Sequence, residues 1–423
     1  MITDLQQFNL NRHPLFILFI SYCFIETTNP FLGFALQIIP MIKNSHIFII
    51  LAWISLPKTL KNISLPKNNM FLALPFLVLI LLKTPFVEVS QRNTLTSVAG
   101  EWIFYLFYFP LFTKIFCTKA GRECFFICVA ISSILGSIFF VLFLGGVKFD
   151  FIFISSNSFA LLNIFGVPVA LRGVLFRSGF DKSLYMISLV LLIFVSLFSG
   201  SRANLIITGI QILIFTFYFA SFKKIVLSGT LVLFLVLLIT SISNPSADVV
   251  EFRNKKFNRI LNLKEDGSFW LRIALYAKAG DIFMNNILMG AGWGAHSIGK
   301  IEGISYEFEA LDRLTNTVNT QKKGLHSTYL RIISGTGILG IISALFFFIG
   351  NFKHFKKIKF NLIKKLPEYF VFFSIAFGII INAMQNTIDF HWFLIISSFI
   401  VSANLSLENL QMVYLMKLNQ HKS

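Results

Sequence analysis

Apolar residues in this chain recur in blocks of about 20, the length an α-helix needs to cross a hydrocarbon core of about 30 Å. The blocks predict helices near 13–28, 30–54, 70–84, 99–117, 123–146, 153–171, 183–199, 203–221, 225–243, 327–350, 367–384 and 391–407. In lipid the backbone has to satisfy its own hydrogen bonds within each segment, so the blocks read as helices. The expected fold class is all-α integral membrane, with about twelve transmembrane helices and a large, partly helical outer loop between spans nine and ten. The first block starts at Arg12 and His13 and leads into a second without a small-residue cleavage site, which predicts a retained span.

Composition agrees with the pattern. With 56% hydrophobic and 13% charged residues, the chain has too little polar surface to cover a soluble globule. Charge adds an orientation. Lys58, Lys61 and Lys67 share one short loop; Lys114, Lys119 and Arg122 another; then come Arg172, Arg177 and Lys182, the pair Lys223 and Lys224, and the run Lys353, Lys356, Lys357, Lys359, Lys364 and Lys365. Every second loop is basic. Counting spans puts all five on the side of both termini, which predicts cytoplasmic termini. The net charge of +18 is then positive-inside bias toward anionic membrane lipids, and no nucleic-acid partner is expected. Cys23, Cys117, Cys124 and Cys128 lie in or beside predicted spans, so neither a structural disulfide nor a metal site is expected.

One connection is long. The chain divides into 1–243 with spans one to nine, the outer loop 244–326, and 327–423 with the last three spans and a tail. Phe269, Trp270, Ile273, Ala274 and Ala277 recur at helical spacing after Ser268, and Gly290, Gly292 and Gly294 supply a turn, so the loop is expected to fold as a partly helical cap. Glu302, Glu307, Glu309 and Asp312 read as a solvated face.

Three basic residues fall on the outer side. Arg202 stands in Ser199-Gly200-Ser201-Arg202 between spans seven and eight, Arg272 on the first amphipathic stretch of the loop, and His326 where the chain re-enters the membrane. By themselves these residues also fit a snorkelling anchor, one residue of a solvated face and an interfacial side chain. Gly335, Gly337 and Gly340, which follow His326, also fit close helix packing. The span interiors are nearly free of charge, which disfavours a transporter or flippase.

Ser-Gly-Ser-Arg at an outer helix end, an Arg early in a long outer loop, a Gly-rich turn, then His326-Ser327-Thr328-Tyr329-Leu330 and Gly337-x-x-Gly340 form an ordered set. It resembles the O-antigen ligase and polymerase family of bacterial envelope glycosyltransferases. The motif match is confined to roughly 199–340, and Ser327 replaces the Asn that many members carry after the His. The resemblance implies a GT-C type enzyme of the inner membrane with its site facing the periplasm. The donor would be a glycan on undecaprenyl diphosphate, and the acceptor lipid A–core or a second carrier-linked glycan. It implies no metal and no cofactor. Arg202 and Arg272 would bind the donor diphosphate, and His326 would be the catalytic base. His296, Asp389 and His391 are further candidate acceptor or glycan contacts, with Trp392 beside the last.

The chemistry fits those assignments. A diphosphate leaving group gains negative charge as its bond to the sugar C1 breaks, and guanidinium forks stabilise such oxygens bidentately. An imidazole, titrating near about pH 6.5, can take the proton of an attacking sugar hydroxyl. No outer carboxylate has to act as nucleophile, so a single inverting displacement is expected.

Overall fold

The structure, a computed structural model, describes residues 10–29, 44–65, 71–83, 98–144, 156–199, 201–219, 276–277, 279–293, 327–356, 367–385 and 393–402. Among these residues the secondary structure is helical throughout. Helix α1 (Pro14–Thr28) follows a 3-10 turn at Leu10–Arg12; α2 (Asn44–Ile54), α3 (Lys58–Lys61) and α4 (Leu74–Lys83) come next. A π turn at Phe104–Tyr108 enters α5 (Phe109–Phe116), followed by α6 (Lys119–Leu144), α7 (Ser156–Phe176), α8 (Gly179–Phe198) and α9 (Arg202–Phe219). After the long loop come α10 (Thr328–Lys356), α11 (Pro367–Gln385) and α12 (Phe393–Ser402).

Among the described residues, four helical stretches are long and apolar enough to cross a membrane: Lys119–Leu142, Gly179–Phe198, Thr328–Asn351 and Pro367–Met384. Pro14–Thr28, Leu74–Lys83, Ala160–Phe176, Asn204–Phe215 and Phe393–Ser402 are apolar but shorter. The chain is therefore a membrane protein, and its described residues form helices and no strands. The expected ninth span, 225–243, and most of the loop 244–326 lie outside the described residues.

Burial follows lipid logic. On α6 the apolar residues Ile127, Ile131, Leu135, Ile138 and Leu142 are exposed at three- to four-residue spacing, while Ser132, Ser133 and Ser137 face inward. Small polar residues let backbones approach and hydrogen-bond across helices, and bulky apolar ones face the acyl chains. Helix α7 is buried on nearly all sides between Ala160 and Leu171, and it packs against α6, α8, α9 and α11. It is the centre of the bundle.

One end of the bundle is closed by charge. Arg122 Nε donates to Glu368 Oε2 at 2.7 Å, Arg172 Nη2 donates to Glu123 Oε1 at 2.5 Å and Glu368 Oε1 at 3.4 Å, and Arg177 pairs with Glu123. Lys114 Nζ donates to the carbonyls of Leu60, Lys61 and Ile63 at 3.1, 2.9 and 2.5 Å. Residues from four of the anticipated basic loops or their flanks thus meet at this end. Lys223 and Lys224 lie outside the described residues. Burying a pair of charges is tolerable only when each is matched and hydrogen-bonded, and here the matching locks α6, α7 and α11 together.

The expectation of nearly charge-free span interiors requires correction. Glu26, His46 and Glu101 are buried on helices at 7%, 8% and 1% exposure. Glu26 lies close to the midpoint of α6, because Thr28 Oγ1, half a turn on, donates to Ser132 Oγ at 3.0 Å. His46 stands edge-on to the rings of Phe104 and Tyr108 in the π turn, at 6.4 and 6.2 Å between centroids.

Candidate functional site

The end opposite the ion pairs is built from backbone. Helix α10 breaks at Gly337, whose φ of 62° and ψ of −159° interrupt the helical ladder. The broken turn is completed by the loop: Ile338 N donates to Ile287 O at 2.8 Å and Leu339 N to Leu288 O at 3.1 Å. In return Ala291 N donates to Ser334 O and Gly292 N to Gly335 O, each at 2.9 Å. Both sides of this ladder need glycine. A Cβ on Gly337 would stand 2.5 Å from Gly290 N and Ile287 O, and Gly290, with φ of 64°, faces the Gly335 and Thr336 backbone just as closely. A short helical stretch over 279–285 leads into this segment. The glycines anticipated as a turn and as helix packing thus form one joint.

Trp293 closes the joint. It is fully buried, edge-on to Phe76 of α4 at 5.5 Å, and the Arg331 guanidinium lies 4.2 Å from its ring centroid. Arg331 Nε also donates to Trp293 O at 3.3 Å.

The starts of α9 and α10 flank the same end. Phe215 and Phe219 of α9 pack on Phe370 near the beginning of α11, at 4.8 and 4.9 Å, so α9 begins toward the far end of α11. Ser327, before α10, donates to Ala383 O at that far end of α11, at 3.4 Å. Each start carries a serine N-cap: Ser201 Oγ accepts from Asn204 N at 3.3 Å, and Ser327 Oγ from Leu330 N at 3.5 Å. Ser and Asn are about equally good N-caps, which explains how Ser327 can replace Asn.

Beneath the start of α9 runs a buried polar seam. Asn163 Nδ2 of α7 donates to Asn204 Oδ1 at 2.9 Å and to Ser196, Ser196 Oγ and Thr208 Oγ1 lie 2.9 Å apart, and Gln211 Nε2 donates to the carbonyls of Ile164 and Ser374 at 3.2 Å. In hydrocarbon such groups have to be matched across helices, so the seam fixes the rotation of α9 about its axis.

Of the residues singled out from sequence, Arg202 is the first residue of α9, directly after its N-cap. His326 directly precedes the N-cap of α10 in sequence. Arg272, His296, His326, Asp389 and His391 lie outside the described residues, and so does the side chain of Arg202. No group of three or more His, Cys, Asp or Glu among the described residues has a geometry that could hold a metal ion.

Residues 187–345, from α8 through the long loop into α10, match the family model of O-antigen ligase. That stretch belongs to the O-antigen ligase family. It contains Arg202, Arg272, His296, the Gly290–Trp293 segment, His326 and the Gly337 break, whereas Asp389 and His391 lie beyond it. The match supports a membrane glycosyltransferase of the O-antigen ligase and polymerase type. No curated protein matches the chain.

Two residues in the O-antigen ligase stretch escaped the sequence reading. Arg331 lies five residues after His326, and its cationic side chain inside an apolar helix was the available signal. Trp293 sits between two glycines, where a bulky aromatic flanked by flexible backbone marks an anchor.

Proposed function

We propose that this protein is an O-antigen ligase: it moves a glycan from undecaprenyl diphosphate to lipid A–core in a metal-independent, inverting transfer at the periplasmic face of the inner membrane. Arg202 and Arg272 bind the donor diphosphate and neutralise it as the C1–O bond breaks. His326 accepts the proton of the acceptor hydroxyl as that oxygen attacks C1. His296, Asp389 and His391 contact glycan or acceptor.

The observation that carries the reading is the family match over 187–345, which spans both arginines and the histidine in one stretch. The common end shared by the α9 and α10 starts supports it. Twelve spans and cytoplasmic termini complete the expected topology, with the basic end inward.

A polymerase uses the same donor chemistry with a second carrier-linked glycan as acceptor; chain length, span plan and loop position favour the ligase. Transfer to a protein hydroxyl is a further family option. The buried Glu26, His46 and Glu101 favour a second class of reading, a lipid-linked glycan flippase, because ionisable groups inside a membrane commonly mark a transport path. One experiment separates these readings: purified protein with carrier-linked glycan and either lipid A–core or a second carrier-linked glycan, beside a vesicle assay for carrier translocation. Transfer to lipid A–core supports the ligase. Transfer only to the carrier-linked glycan makes it a polymerase, and translocation without transfer makes it a flippase.

A further inference from the structure

The backbone ladder between 287–292 and 334–339 stabilises the break in α10, but it ends at Ser334, short of the first turn of the helix. One contact reaches further. Arg331 grips Trp293 twice, through Nε to the backbone carbonyl at 3.3 Å and through the guanidinium face 4.2 Å from the ring. Arg331 N in turn donates to Ser327 O at 3.1 Å, so the gripped residue belongs to the turn that begins at the N-cap. Arg331 is 7% exposed and Trp293 0%, and a desolvated cation over an indole is bound far more firmly than one in water.

We propose that Arg331 and Trp293 form a clasp that positions the first turn of α10, and with it His326, against the loop. Arg331 is a positioning residue in this account. The inference rests on the reading of His326 as the base, and it adds that the orientation of this base depends on a residue in the loop 34 positions upstream of Ser327 in sequence. The ladder sets where α10 breaks; the clasp sets where its first turn points.

The conservative variants follow from the contacts. Trp293→Phe keeps a ring and the backbone carbonyl, and the indole Nε1 that it removes has no hydrogen-bond partner among the described residues. Arg331→Lys keeps the cation. Arg331→Met fills a similar volume without the cation, and Trp293→Leu removes the ring while keeping the backbone carbonyl and leaving a smaller side chain.

The test measures kcat and donor KM of the full-length protein in detergent, with the carrier-linked glycan and the acceptor that the wild type uses, normalised to folded protein by thermal unfolding. Displacing a reacting group by about 1 Å costs on the order of 100-fold in rate. Arg331→Met and Trp293→Leu are each expected to lower kcat by roughly 10- to 100-fold while donor KM moves less than about twofold. The double variant is expected to be no slower than the worse single one, because both break the same contact. Trp293→Phe and Arg331→Lys are expected to recover most of the rate. Wild-type kcat in both disruptive variants, additive losses, or a loss confined to donor KM would overturn the clasp; the last would make Arg331 a donor ligand. If Arg331→Met does not fold, Arg331→Gln, which keeps an amide donor and loses the cation, carries the same test.

His326→Gln in the same assay separates the two claims. Activity in His326→Gln together with impaired Arg331→Met removes the base and leaves a clasp that positions the helix start. A dead His326→Gln beside fully active Arg331→Met removes the clasp and leaves the base.

Discussion

The two ends of this bundle are held by different physics. At one, Arg122, Arg172 and Arg177 are matched by Glu123 and Glu368, and helix ends are locked by charge. At the other, α10 breaks at Gly337 and is mended by loop backbone, with helix starts capped by Ser201 and Ser327. Charges that neutralise one another are occupied and serve the fold. At the other end the described contacts are made by backbone, hydroxyl groups and the Arg331–Trp293 pair. In our reading that is where Arg202 and Arg272 meet the diphosphate.

The sharpest way to break this comparison is to remove a charge at each end. Arg202→Ala is expected to lower transfer by about 100- to 1,000-fold, the loss typical of one donor to a developing oxyanion, with little change in thermal stability. Glu368→Gln is expected to do the reverse: it leaves Arg122 buried without its carboxylate and destabilises the fold by about 3–5 kcal/mol, while folded protein keeps its rate. Thermal unfolding beside the transfer assay reads both. If Glu368→Gln impairs kcat in protein that remains folded, the division of labour fails.

Smaller changes sharpen it. Gly337→Ala puts a side chain into backbone (φ 62°, ψ −159°) that essentially only glycine adopts, at about 1–3 kcal/mol for the conformation alone, and also drives its Cβ into Gly290 N and Ile287 O. It is expected to release 287–292 from α10, seen as faster amide exchange at Ile338 and Leu339, with a loss of transfer. Unchanged exchange would mean that the joint is not held by the glycine. Ser327→Ala removes an N-cap, at about 1 kcal/mol, and Ser327→Asn is expected to restore it. If Asn behaves like Ala in thermal unfolding, the capping role is wrong.

Much of the helical plan was legible in the sequence because lipid imposes it: blocks such as 123–146 and 367–384 have no other way to satisfy their backbone. The basic loops were legible too, and residues such as Arg122 and Arg172 turned out to meet at one end. Their acidic partners were not, because Glu368 pairs across 246 positions with Arg122 and nothing local marks that contact. The glycines at 290, 292, 335 and 337 were visible as pattern but not as a joint, since two separate segments contribute its halves. Arg331 and Trp293 were hidden for the same reason: neither means anything without the other. Glu26, His46 and Glu101 went unweighed because each is a single ionisable residue in a long apolar run.

The central claim is that a histidine-dependent transfer occurs at the end where α9 and α10 begin. It is tested most directly with purified protein, carrier-linked glycan and lipid A–core, comparing wild type, His326→Ala and wild type with EDTA. The account predicts glycan transfer to lipid A–core that survives EDTA and is lost in His326→Ala. Full transfer by folded His326→Ala, or transfer abolished by EDTA and restored by a divalent cation, would contradict it.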